Sequence, residues 1–196
     1  MKYLPSIITG ALLLSLGVSA TARAEQTLRI GYQKSSTLLT LLKQQGTLDK
    51  ALAGQGISVS WHEFTSGLPL LEALNTGNVD ITADVADTVP VFAQAAGADF
   101  TYYARETPSP EAQAILVPAG STVKSLAELK GKKIAVTKAA GSHYLLIVAL
   151  KQAGLTLKDV DAAWLTPADG RAALENGSVA AWVTWEPYVT SAREEQ

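Results

Sequence analysis

No cysteine occurs in the 196 residues, and there are only two histidines and one methionine. Without cysteine there is no thiol nucleophile, no Cys-ligated zinc and no disulfide, so the fold must rely on its apolar core. His62 and His143 stand far apart in sequence. No G-x-S-x-G elbow, H-E-x-x-H helix, Walker loop or G-x-G-x-x-G occurs either, so acid–base, metal and nucleotide chemistry lack their usual reagents. The expectation is a protein that is not an enzyme and needs no cofactor or metal. Charge is also sparse, at 17% of residues, with 16 basic and 18 acidic side chains. That balance gives no reason to expect nucleic acid or an anionic membrane surface as partner.

Long hydrophobic runs are absent except at the start. Met1-Lys2 is a minimal basic start, residues 7–18 are apolar, and Ala22-Arg23-Ala24 reads as an A-x-A cleavage site before Glu25. Residues 1–24 therefore read as a secretory signal peptide, too short in its apolar part for a membrane anchor. With no cysteine at the cleavage point, release into a periplasm is expected rather than lipid anchoring. Removing Lys2 and Arg23 leaves 14 basic against 18 acidic side chains, a net charge of −4. The full 196-residue chain is 47% hydrophobic, ordinary for a globular α/β protein.

What is present is a unit that occurs twice. Residues 134–154, IAVTKAAGSHYLLIVALKQAG, read as a strand, a small-residue turn and the start of a buried helix. A helix start leaves unpaired backbone N–H groups and a partial positive charge, which suits an anion. Gly141 would allow close approach to the backbone, and Lys138 adds a charge. Ser142 could bind a ligand or merely cap the helix, and His143 could donate to a ligand or cap its own helix. Residues 30–46, IGYQKSSTLLTLLKQQG, repeat this pattern, and ALNTGNV at 73–79 answers ALENGSV at 173–179. Each later strand then meets an acid and a proline, Asp87 with Pro90 and Glu186-Pro187, where another helix should begin. Two lobes of similar build are the economical reading.

The pattern predicts strands over 28–33, 57–64, 79–83, 100–105, 112–117, 133–137, 162–165 and 179–185. It predicts helices over 37–53, 68–75, 91–96, 126–129, 142–152 and 168–174, with a frayed tail at 192–196. Alternating strands and helices imply parallel sheets. His62, within an alternating strand, suits a structural or surface role. Asp80, Asp84 and Asp87 form a carboxylate run better suited to solvated or capping roles than to a metal, with capping favoured for Asp87.

The segments LRIGYQK, LEALNTGNVDI, PVFAQAAGAD, SLAELKGKKIAVTKAAGSHYLL, ALKQAGL, LTPADGRAAL and WEPY together resemble the aliphatic sulfonate-binding proteins of ABC transporters. These are solute receptors related to those for taurine, nitrate and thiamine precursors, and the resemblance runs from Leu28 to Arg193. It implies a two-lobed, type II periplasmic-binding-protein α/β fold that closes on its ligand and docks on an inner-membrane ABC permease. Lobe 1 is expected at 25–113, a hinge crossover at 114–118 and lobe 2 at 119–191. Carried over, the cleft residues are Gln33, Lys34, Ser35, Ser36, Asp87, Thr88, Gly141, Ser142, His143, Trp185 and Glu186. All lie at strand carboxyl ends, where open α/β sheets bind ligands. Trp185, Tyr188, Tyr144 and Tyr32 could wall an organic tail, although Tyr188 suits the lobe core better. Family members continue for more than a hundred residues beyond the equivalent of Arg193. This implies a truncated chain whose first lobe lacks a strand and its helical cover, leaving an open edge. The expected partners are a small organosulfonate and the permease, with the receptor a monomer. The competing readings are a receptor for taurine, nitrate or a thiamine precursor, a non-functional fragment, and an enzyme on the same fold. The leader and the missing cysteines count against the enzyme.

Overall fold

The computed structural model describes residues 26–194. The expected signal peptide and the last two residues of the expected tail lie outside that range. Among the described residues, strands β1 (Gln26–Tyr32), β2 (Ile57–Glu63) and β3 (Ile81–Thr82) form one parallel sheet in the order β2-β1-β3. Strands β4 (Gln113–Leu116), β5 (Lys133–Val136), β6 (Asp161–Trp164) and β7 (Ala181–Trp185) form a second, ordered β4-β7-β5-β6. There β5 is parallel to both neighbours and β4 runs antiparallel to β7. The sequence repeat is thus a structural one, since β6-β5-β7 reproduces β2-β1-β3.

The agreement reaches single hydrogen bonds. Helix α3 (Gly67–Asn75) and, in the second half, α6 (Pro167–Glu175) both run out into a glycine at positive φ, Gly77 at 71° and Gly177 at 74°. Asn78 N–H then donates to Ala73 O at 2.8 Å and Ser178 N–H to Ala173 O at 2.9 Å, the wrap-around closure that only such a turn allows. Val79 and Val179, next in line, are both buried.

Helices α1 (Thr37–Gln45) and α2 (Thr47–Ala53) replace the single helix expected over 37–53. Gly46, at φ 60°, accepts the role of C-cap and its N–H donates to Leu42 O, so the axis breaks there. Helix α4 (Thr88–Ala95) begins three residues earlier than expected. The strand expected over 79–83 shortens to two residues: Val79 N–H is spent in the turn on Ala73 O, while Asp80 N–H already donates to Arg29 O of β1 at 2.8 Å. No strand forms over 100–105: residues 101–110 are exposed, and among the described residues no strand pairs with them. Residues 114–116, placed in a crossover by the sequence, belong to β4, so the chain passes between the sheets upstream of it. Helix α5 (Gly141–Gln152) follows β5, and α7 (Tyr188–Glu194) takes up most of the expected frayed tail, with Ala192 buried in it.

The second sheet is covered on both faces. Ile134, Val136, Leu146, Leu150 and Val183 pack on one, and Ala135, Leu174, Val179, Trp182 and Ala192 on the other. Each fully buried aliphatic side chain contributes roughly 1.5–3 kcal/mol. The first sheet packs mainly on Leu70, Leu71, Val89 and Ala93 of α3 and α4. Helix α1 buries nothing, and Leu38, Leu41 and Ile81 are exposed. The exposed apolar face and open edge expected of the first lobe are therefore seen in these residues.

Gly170, on α6, shows how tight the second half is. A methyl there would lie 2.5 Å from Nε1 of the buried Trp182. Replacing Gly170 with Ala should cost roughly 2–3 kcal/mol by overpacking, read as a lower urea midpoint at unchanged slope.

Candidate functional site

The two halves meet where the carboxyl ends of both sheets face each other. Gly141 opens α5 and rests against the first half: a methyl on it would fall 2.9 Å from Ala86 Cβ and 3.0 Å from Gln113 Oε1. Only glycine fits so close to that loop. Thr88, two residues after Ala86, opens α4. Two helix starts therefore converge on one contact; at α4 Val89 N–H already donates to Ala86 O at 2.9 Å and Pro90 has no N–H, so the free backbone donors are mainly those of α5.

Beside this contact lie buried polar atoms with nothing to bond. Among the described residues seven buried side-chain polar atoms lack a partner, and Thr88 Oγ1, Gln113 Oε1, Ser142 Oγ and His143 Nε2 belong to residues at or next to the contact. Thr184 Oγ1, also unpartnered, lies on β7 on the sheet face of Trp182, away from α5. Ser142 is fully buried. Leaving one such group unmet costs roughly 1–3 kcal/mol, so a polar ligand that met them would be favoured. The hydroxyls of Thr88 and Ser142 can donate. Gln113 can do the same once its carboxamide turns Nε2 in place of Oε1.

His143 is held in detail. Its Nδ1 accepts from Ala139 N–H at 3.2 Å, its ring stacks on Phe92 with centroids 5.5 Å apart, and Trp164 meets it edge-on at 4.8 Å. Burial, and then Lys138, push its pKa below the ordinary histidine range, so the imidazole is neutral. His143 therefore bonds the loop before α5 rather than capping the helix, and its Nε2 has no partner. Ser142 is not a cap: Ala140 holds the N-cap position and the serine hydroxyl bonds nothing. Ala139 sits at φ 54°, a strained setting for alanine that turns the loop into α5.

The other expected site residues divide. Gln33 and Ser36 are buried braces: Ser36 Oγ accepts from Gln33 N–H at 3.2 Å, and Gln33 Nε2 donates to Asp84 O at 3.2 Å. Ser35 is partly exposed and hydrogen-bonds the Asp84 carboxyl. Lys34 lines a cavity of ≈ 390 Å³ with Tyr32, Thr40, Lys43, Gln44 and Glu63, where Lys43 donates to Tyr32 OH and Tyr32 OH to Glu63. Asp87 is exposed and makes no side-chain cap bond, so the capping expected of it is absent. Glu186 is committed to its own helix, its carboxylate accepting from Thr190 N–H at 3.0 Å and Thr190 Oγ1 at 2.9 Å. Trp185 is partly buried against Tyr188, and Tyr188 packs on Trp182 in the core of the second half. Asp80 forms a two-pronged pair with Arg29, 2.6 and 3.0 Å. No cluster of metal-ligating side chains occurs among the described residues.

Gln113, Phe92 and Trp164 were not expected beside these residues. Gln113 carried no signal, since its place depends on β4 pairing with β7, Gln113 opposite Trp185.

Residues 21–196 match the NMT1-like family. The chain belongs to that family. A relative in Escherichia coli K12, provisionally named an aliphatic sulfonates-binding protein, is 44% identical over 94% of this chain and 57% of its own length. The crystal structure of the periplasmic aliphatic sulphonate binding protein SsuA from Escherichia coli superposes with TM-score 0.73 at 46% identity, covering 87% of this chain and 58% of that one. The alkanesulfonate-binding protein SsuA from Xanthomonas axonopodis pv. citri, bound to MOPS, does so with TM-score 0.81 at 41% identity, covering 86% and 57%. This chain thus has the mixed α/β fold of periplasmic binding proteins, and spans little more than half the length of the relatives it matches. No helix among the described residues is long and apolar enough to cross a membrane.

Asp84 lies at this carboxyl end, at φ 57°, its pKa pushed up to about 6 by burial and then by Glu106. As pH rises from 3.8 to about 6 the unfolded carboxyl loses its proton while the folded one keeps it, so stability falls through that window. Full transmission would be roughly 3 kcal/mol, and screening of a half-exposed group reduces it to about 1 kcal/mol. Asp84→Asn, which tolerates the positive φ, should abolish that loss; urea melts at pH 4 and pH 7 compare the two.

Proposed function

We propose that this chain is the substrate-binding part of an ABC importer, taking an aliphatic sulfonate between its two halves for delivery to a membrane permease. The observation that carries the reading is the set of buried, unpartnered atoms on Thr88, Gln113, Ser142 and His143 where two helix starts meet. A sulfonate brings three acceptor oxygens and one negative charge. Hydroxyls, a carboxamide, a neutral imidazole N–H and the first backbone N–H groups of α5 match it. MOPS, held by the Xanthomonas relative, is itself a propanesulfonate, which supports the class of ligand. Gly141, Ser142, His143 and Thr88 are the ligand residues carried forward from the sequence, and Gln113 joins them.

The named relatives are periplasmic receptors, which supports export through the 1–24 leader and a monomeric receptor that meets its permease at the membrane.

Calorimetric titration of the mature chain with ethanesulfonate, hexanesulfonate, sulfate and nitrate tests the assignment. Saturable heat with the two sulfonates is expected, and heat with sulfate or nitrate alone would refute it. Ser142→Ala gives a sharper expectation. Removing an unsatisfied buried hydroxyl should leave thermal stability unchanged or raised, while sulfonate affinity drops about 5- to 30-fold.

A further inference from the structure

Phe92 is the one aromatic side chain of α4, and it is the first half's direct contact with the His143 ring. The two rings are nearly coplanar in orientation, 9° apart, at a centroid separation of 5.5 Å. Trp164, from the end of β6, closes on the same imidazole at 75°. A half-turn of an imidazole about its last side-chain bond swaps each nitrogen for a ring carbon, so a ring free to turn would lose the Nδ1 contact that fixes its tautomer. Here one orientation is selected. Nδ1 accepts from Ala139 N–H, so the proton resides on Nε2, which is buried and has no partner. The Ala139 bond, at 3.2 Å, is a long one to hold a ring alone. The face of Phe92 and the edge of Trp164 supply the rest of the restraint.

We propose that Phe92 is a positioning residue: by stacking on His143 across the contact between the halves, it fixes the imidazole as the Nε2–H tautomer and so readies that N–H for a sulfonate oxygen. This rests on the sulfonate reading given above. The stack exists only when α4 and α5 are together, so it also favours the arrangement in which both helix starts face one ligand. Ring–ring contact of this kind is directional, and a flat side chain at position 92 matters more than an apolar one.

Two measurements on the full mature chain separate this claim from the assignment it rests on. The first needs no ligand. A two-bond proton–nitrogen correlation spectrum, with His143 assigned by its loss in His143→Asn, reports the tautomer directly. The wild-type protein should show the Nε2–H form. Phe92→Ala and Phe92→Leu should show averaged nitrogen shifts, and Phe92→Tyr should restore the wild-type pattern. The second is titration with hexanesulfonate, where Phe92→Ala and Phe92→Leu should bind about fivefold more weakly and Phe92→Tyr within twofold of wild type. Unchanged His143 signals in Phe92→Leu would overturn the proposal whatever the titration shows. Wild-type protein that fails to bind hexanesulfonate would instead sink the sulfonate assignment, with the tautomer result still deciding the role of Phe92.

Discussion

The close approach of Gly141 to Ala86 is the constraint on which the site depends. Two helix starts face one another because nothing projects between them. A single methyl at position 141 would meet Ala86 and the Gln113 carboxamide at about 3 Å, where no side chain can rest. Everything polar at the contact is brought within reach by that missing side chain. The Ser142 hydroxyl beside this contact is fully buried, so its lack of a partner carries a free-energy cost and not merely a loss of opportunity.

How the two helix starts come to face each other follows from the internal repeat. The β1–α1 and β5–α5 units share strand order, and α3 and α6 share the turn that leads into β3 and β7. Two like units set carboxyl end to carboxyl end place like elements opposite one another. They have diverged in support. The second half carries β4 as an antiparallel cover for β7 and has helices on both faces, so α5 starts from a rigid base. In the first half α1 buries nothing, and the β1–α1 loop is steadied by Gln33 and Ser36 instead. Side chains that the sequence offered as ligands are there consumed as braces.

Much of the fold was legible because strand and helix signals are local. Alternation, glycine caps and the proline after an acid placed nearly all elements of the second half within a residue or two. The misses have separate physical causes. Gly46 was read as the inside of a helix pattern whose apolar spacing continues past it, but a glycine at positive φ ends the axis regardless. Residues 100–105 have strand-like side chains, yet a strand exists only through a paired neighbour, and that information lies elsewhere in the chain. Glu186 looked like a ligand because it follows a strand. Thr190, four residues on, offers it two donors at no cost in chain entropy, and a local partner wins over a distant one. Gln113 was invisible for the opposite reason, since only the β4–β7 register brings it over α5.

The unpartnered groups beside the contact are neutral, and a cation that acts on them is Lys138, whose charge, after burial, lowers the pKa of His143. Neutral donors, a helix start and a nearby positive charge suit an anion whose charge is small and spread over several oxygens. On the reading proposed above, a sulfonate is such a group, singly charged throughout the physiological range, and the lowered pKa of His143 keeps the donor set unchanged as pH varies there. Sulfate carries twice the charge and has no tail to bury, so on that reading the contact favours the organosulfonate.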